Sequence, residues 1–320
     1  MPTLGIAPLL DAYFRRRFAA AGLLEATVPL DGGATTVHCW RFPPGPGAAA
    51  DGEDDARPVL VLLHGFGPPA TWQWRRQVGP LSRRFRLIVP DLLFFGGSST
   101  SSAPGAGRVS EAQQAEAVAK LVVAVVAPAP ARVSVAGTSY GGFVAYHVAR
   151  LLGPGAVERV VIASSDLLKA AADDRALLRR GGAERVEDVM LPRSTEQMRR
   201  LLQLAYHRPR RFTPGFVLRD LVQYLYSDKV EEKEELIKGI TLGNKDKFQL
   251  TPLPQEVLVL WGEHDQIFPV EKAFEVARKL GANARLEVLK DTGHMPQEED
   301  PQRFNEAILN FLLPAPKSSL

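Results

Sequence analysis

Ser139 stands in Gly137-Thr138-Ser139-Tyr140-Gly141, and this spacing is where the chain can do chemistry. A serine hydroxyl is a weak nucleophile in water. It needs exposure, a base to take its proton, and donors for the oxyanion that forms when it attacks a carbonyl. A sharp turn from a strand into a helix supplies the exposure, and flanking glycines allow that turn because side chains there would collide with it. The helix that follows points its N-terminus at the developing charge. Alone the motif is weak, since glycine and serine frequencies generate it by chance. Its weight comes from position, after an apolar run at 133–136 and before a helical pattern over 140–152.

Two segments offer a base. Thr292-Gly293-His294-Met295 follows a strand pattern at 286–289 and precedes a terminal helix, whereas His264 lies in Trp261-Gly262-Glu263-His264-Asp265 after the apolar run 257–260. His264 and Asp265 are sequence neighbours, so their side chains point apart. His294 is therefore the expected general base, with Asp265 fixing its tautomer and stabilising the imidazolium. Glu263 and Asp166 are the rival acids. A further motif, His64-Gly65-Phe66-Gly67, closes the run 59–63, where His64 can hold a tight turn by a local bond.

These residues need a scaffold. Short apolar runs at 59–63, 87–89, 133–136, 160–163, 257–260 and 286–289 read as buried strands. Helical patterns over 70–81, 110–126, 140–152, 270–280 and 301–312 alternate with them, which predicts a mostly parallel sheet with helices on both faces. Residues 25–42 read as a strand pair turning at Asp31-Gly32-Gly33, and 43–57, rich in Pro, Gly, Ala and Asp, as a mobile surface loop. From 164 to 250 there is helical periodicity, as in Met198, Leu201, Leu202 and Ala205, broken by Pro192, Pro209 and Pro214. The expected division is a core over 1–163, a helical insertion over 164–250 and a second core part over 251–320.

Composition narrows the function classes. At 320 residues, 45% hydrophobic and 23% charged, the chain suits one large α/β domain, or such a domain carrying an insertion. The net charge of +3 is small, and arginine clusters such as Arg15-Arg16-Arg17 lack interleaved aromatics, so no nucleic-acid partner is expected. Cys39 is the sole cysteine, which excludes an internal disulfide framework and reads as a packed strand thiol. No stretch is apolar and long enough to span a bilayer, although an amphipathic helix over 6–24 allows peripheral membrane contact besides packing on the protein body. A cytoplasmic location is expected, with peroxisomal import through Ser318-Ser319-Leu320 as the alternative. No metal-ligand spacing or phosphate loop is seen, so neither cofactor nor metal is implied. Oligomeric state is not legible.

In their order along residues 24–313, outside the 43–57 loop, these motifs and Pro90-Asp91 resemble the α/β-hydrolase superfamily. Within it the chain is similar to a group of plant serine hydrolases and carboxylesterases, through Trp72-Gln73-Trp74, Leu93-Phe94-Phe95-Gly96 and the run from Ser139 to Tyr146. Phe94 stands where many members have glycine. The resemblance implies an α/β-hydrolase fold with an eight-stranded sheet and the insertion as a helical cap. It implies an oxyanion hole from the backbone N–H groups of Phe66 and Tyr140. It also implies an apolar pocket drawing on His64, Gly65, Trp72, Phe94, Phe95, Phe143, Leu201, Leu204, Tyr206 and Phe268. The implied activity is cleavage of a small lipophilic ester, aromatic ones included, through an acyl-enzyme on Ser139, Asp265 and His294. Monoacylglycerol lipase, carbon–carbon hydrolase and ligand-sensing receptor roles are the alternatives. Epoxide hydrolases and haloalkane dehalogenases need a carboxylate in place of Ser139.

Overall fold

The apolar runs become the middle of a single sheet. The computed structural model describes residues 5–44, 56–101, 110–127, 132–209, 212–240 and 248–313. Its strands are β1 (Leu24–Leu30), β2 (Thr35–Arg41), β3 (Val59–Leu63), β4 (Arg86–Pro90), β5 (Ser99–Thr100), β6 (Val133–Thr138), β7 (Val157–Ala163), β8 (Glu256–Gly262) and β9 (Ala284–Leu289). Eight of them follow the order β1-β2-β4-β3-β6-β7-β8-β9, and the two-residue β5 pairs with β2 as a ninth. So short and polar a strand leaves no periodic signal. Pairing is antiparallel at β1, β2 and β5 and parallel from β4 to β9. This is the α/β-hydrolase fold expected from the motifs.

The helices are α1 (Ile6–Ala20), α2 (Ala70–Gln73), α3 (Val78–Ser82), α4 (Glu111–Val126), α5 (Tyr140–Leu152), α6 (Ala171–Gly181), α7 (Val186–Met190), α8 (Thr195–Ala205), α9 (Gly215–Tyr226), α10 (Val230–Gly239), α11 (Glu271–Leu280), α12 (Pro296–Glu299) and α13 (Pro301–Leu312). Alternate residues of β3 divide the core. Val59, Val61 and Leu63 join one apolar cluster, with residues of α4, α5 and α11. Leu60 and Leu62 join a second, with Trp74, Leu81 and Phe304. Truncating Leu62 to alanine would cost about 2–5 kcal/mol, the usual range for a fully buried leucine.

The single helix expected over 70–81 is two short ones. Pro80 is tolerated in the first turn of a helix but not in its interior, so the helix restarts at Val78. Helix α1 packs on the body: Ala7, Phe14 and Phe18 are buried, and the Ala7 N–H donates to Asp220 at 2.6 Å. Among the described residues no helix is long and apolar enough to cross a membrane. Cys39 is buried in β2, and burial pushes its thiol up to about 12, well away from a reactive thiolate.

Among the described residues, five helices, α6 to α10, lie between β7 and β8. Residues 210–211 and 241–247 of this insertion lie outside the described residues, as do 45–55 of the Pro/Gly-rich stretch and Ser318-Ser319-Leu320.

Candidate active site

Ser139 sits between β6 and α5 with φ 51° and ψ −121°, a backbone conformation that L side chains rarely adopt. The turn is pinned on several sides. The Ser139 N–H donates to the Ala163 carbonyl at 2.8 Å, and its own carbonyl accepts from Gly142 N–H at 2.9 Å and Ser165 Oγ at 2.6 Å. Gly141 is required by close approach: a Cβ there would lie 2.3 Å from the Leu63 carbonyl oxygen. The strain is held by the neighbours, and it lifts the hydroxyl out of the strand line.

The loops after β8 and β9 bring the expected partners to that hydroxyl. His294 Nε2 is 2.9 Å from Ser139 Oγ, and His294 Nδ1 is 2.8 Å from Asp265 Oδ2. The other carboxylate oxygen of Asp265 accepts from the N–H groups of Ile267 and Phe268, both at 2.9 Å. A carboxylate so placed accepts, which puts the imidazole proton on Nδ1 and leaves Nε2 to accept from the serine. The three residues are 6%, 5% and 3% exposed, so the bonds lie away from bulk water.

The rivals lie elsewhere. Asp166 is buried 3.5 Å from Lys272 Nζ, and desolvation raises its carboxyl to about 6. Glu263 is paired at 3.5 Å with His264, whose ring stacks on His207.

Phe66 and Tyr140 flank the serine. Tyr140 is the first residue of α5, where helix N–H groups have no intrahelical partner, and neither amide has an acceptor among the described residues. Their rings belong to a chain of aromatic contacts. Phe95 meets Phe66 at 5.2 Å, Phe66 meets Tyr140 at 5.8 Å, and Tyr140 meets Phe143 at 6.0 Å. Phe143 continues to Phe268 at 6.2 Å, and Phe268 stands edge-on to His294 at 5.4 Å. Leu201 and Leu204 are buried on α8, and Tyr206 is half-buried just after it, its hydroxyl pushed up to about 12 by burial. Phe94 is half-buried at φ 71°.

Three positions implied as pocket wall have other work. His64 is fully buried: Nδ1 donates to the Gly65 carbonyl at 2.7 Å and Nε2 accepts from Leu92 N–H at 2.9 Å, so no ring nitrogen is left for a substrate. Burial lowers its pKa, which keeps the ring neutral as those bonds require. Gly65 backs Ser139, since a Cβ there would lie 3.0 Å from Ser139 Cβ. Trp72 donates from Nε1 to Asp11 at 2.8 Å and packs edge-on against Phe14, joining α1 to the core.

Two residues near the site escaped sequence reasoning. Gln73 bonds both backbone groups of Gly65, a role that the Trp72-Gln73-Trp74 motif marked without explaining. Lys233 is 3% exposed, donates to the Asp228 carbonyl at 2.7 Å, and lies 5.5 Å from the Phe95 ring centroid. Burial lowers its pKa. Its i,i+3 spacing from Leu236 on α10, placing a lysine on the apolar stripe, was the available signal.

Comparison with known proteins bears on the family and the fold. The sequence signature of the alpha/beta hydrolase family matches residues 60–307. The chain is 26% identical to a 2-hydroxy-6-oxononadienedioate/2-hydroxy-6-oxononatrienedioate hydrolase of Escherichia coli O81 (strain ED1a), covering 79% of this chain and 86% of that protein. Among solved structures, a membrane phospholipase A described as a bacterial virulence factor superposes with a TM-score of 0.74 at 24% identity, over 96% of this chain and 91% of the other. Carboxylesterase CesB from Bacillus subtilis gives a TM-score of 0.66 at 20% identity, over 94% and 98%. At those identities the structural likeness is one of fold.

Proposed function

The chain belongs to the alpha/beta hydrolase family, and from that premise we propose that it is a serine hydrolase cleaving small lipophilic carboxylic esters. The observation that carries this reading is the continuous bond path from Asp265 through His294 to Ser139, with Asp265 anchored by two backbone amides. Ser139 Oγ attacks the ester carbonyl while His294 Nε2 takes its proton, and the Phe66 and Tyr140 N–H groups receive the oxyanion. His294 then protonates the departing alcohol. Water, deprotonated by the same nitrogen, releases the acid and restores the serine. The insertion α6–α10 serves as the cap, and the aromatic chain from Phe95 to Phe268 favours an apolar acyl or alcohol group. The resemblance of Trp72-Gln73-Trp74 and Leu93-Phe94-Phe95-Gly96 to motifs of plant serine hydrolases and carboxylesterases supports the same reading.

A second reading is favoured by the similarity to the dienedioate hydrolase: attack by the same serine machinery at a ketone, with cleavage of the adjoining carbon–carbon bond. One experiment separates the two. Wild type and Ser139→Ala are assayed in parallel on p-nitrophenyl esters of graded acyl length and on a 2-hydroxy-6-oxo-dienoate. Ester turnover that disappears in the variant supports the first reading, dienoate turnover alone supports the second, and activity on neither removes both.

A further inference from the structure

We propose that His207, His264 and Asp291 bind one divalent transition-metal ion of the zinc class, joining the inserted helices to the loops that carry Asp265 and His294. This inference does not depend on the hydrolase reading. One ligand atom from each of the three residues lies within 4.8 Å of the others. They come from three separate segments: His207 follows α8, His264 follows β8 directly before Asp265, and Asp291 follows β9 three residues before His294. Remoteness in sequence is why spacing showed no metal motif.

Backbone bonds set this meeting, leaving the side chains to spare. The His207 N–H donates to Glu299 Oε2 at 3.2 Å, and the His264 N–H donates to the Thr292 carbonyl at 2.8 Å. The two imidazoles lie stacked with centroids 3.9 Å apart and planes 16° from parallel. The side-chain partners in the cluster are weak or exposed: His264 Nε2 is 3.5 Å from Glu263 Oε2, and Arg208 donates to Asp291 Oδ1 at 2.9 Å. Arg208 is 74% exposed on its side chain and can yield that oxygen to an ion.

The donor set selects the ion. Two imidazoles with one carboxylate suit Zn²⁺, Cu²⁺ or Ni²⁺, whereas Mg²⁺ and Ca²⁺ prefer oxygen ligands throughout. Metal–nitrogen bonds of about 2.0–2.1 Å require the ligand atoms to draw in, and the stacked rings must fan apart so that both lone pairs meet one point. His264 and Asp291 are exposed, so only these surface contacts must give way. Glu263 Oε2 accepts from Asp291 N–H at 3.1 Å and stands outside the cluster, so water would complete the coordination of the ion. Arg208 opposes the charge of the ion, so the affinity is expected on the order of micromolar.

The test uses the full chain stripped with chelator and titrated with zinc sulfate by calorimetry, with Co²⁺ absorption as an independent readout of ligand geometry. One equivalent is expected to bind, with tetrahedral Co²⁺ bands and a melting temperature raised by a few degrees. His207→Ala or His264→Ala should each weaken binding at least about tenfold, and the double variant should abolish it. His294→Gln should bind Zn²⁺ as wild type does, because the triad histidine is not a ligand here. The proposal is overturned by no binding tighter than about 100 µM, by undiminished binding in the double variant, or by loss in His294→Gln. Far-ultraviolet circular dichroism of each variant separates lost ligands from lost fold.

Discussion

Gln73 grips Gly65 from both sides: its Oε1 accepts the Gly65 N–H at 2.8 Å, and its Nε2 donates to the Gly65 carbonyl at 2.9 Å. The same Nε2 also reaches the Pro68 carbonyl at 2.6 Å. One amide thus sets the loop that carries Phe66, whose N–H is the proposed oxyanion donor. Gln73→Leu keeps the volume and removes all three bonds. We expect kcat to fall about 10- to 100-fold with KM little changed, because a donor is misaimed and no apolar contact is lost. Unpaired buried amides should also lower stability by about 2–3 kcal/mol. Steady-state ester kinetics beside a thermal melt check both, and an unchanged kcat would detach Gln73 from the oxyanion loop.

Asp265→Asn keeps the shape of the triad and reverses its polarity. The asparagine oxygen can still accept from Ile267 and Phe268, which turns the amide NH₂ toward His294 Nδ1. Nδ1 must then accept, the proton moves to Nε2, and the base for Ser139 is lost. A fall of about 10⁴ in kcat is expected with fold intact. Single-turnover acylation measures it, and wild-type acylation would remove Asp265 from the mechanism.

Strain at Ser139 should be visible in stability. At φ 51° and ψ −121° a serine or alanine is strained while glycine is not. Both Ser139→Gly and Ser139→Ala should be inactive, yet the glycine variant should be the more stable by about 1 kcal/mol. Denaturant titration compares them, and equal midpoints with equal slopes would mean that the turn is relaxed. Gly141→Ala points the other way, since its methyl group would meet the Leu63 carbonyl, and loss of soluble folded protein is expected.

Asp166 predicts a pH dependence. Desolvation raises its folded pKa from 3.8 to about 6 despite Lys272. Between those values the folded state holds the proton more tightly than the unfolded chain. Its contribution is therefore full below pH 3.8 and lost as pH rises through 6, on the order of 3 kcal/mol in all. Asp166→Asn should flatten the decline in melting temperature between pH 4.5 and 7. A decline as steep as in wild type would assign the dependence to another group.

The sequence was most legible where burial is complete. Strands such as Val59–Leu63 sit inside the sheet with every residue buried, so their apolar runs needed no context. Ser139, Asp265 and His294 stood out because each directly follows or lies near a strand end, and the fold brings them within hydrogen-bond reach. Less could be read where one residue type serves two ends. The family resemblance implies Trp72 as pocket lining, but its indole N–H answers Asp11 on a distant helix. His64 carries the same ambiguity, resolved only by Leu92 N–H. Tertiary bonds of this kind leave no periodicity, and the meeting of His207 with His264 leaves none either.

The sheet order has a consequence for when the protein can act. β8 pairs with β7 only after the chain has passed through α6 to α10, and β9 pairs with β8 later still. A nascent chain that has emerged as far as α10 therefore carries the Ser139 turn without Asp265 or His294, the proposed acid and base. On the proposed mechanism such an intermediate has no means of cleaving what it meets. Regain of turnover during refolding should trail the first burial of β3 and β6, which makes activity a late clock for completion of the sheet.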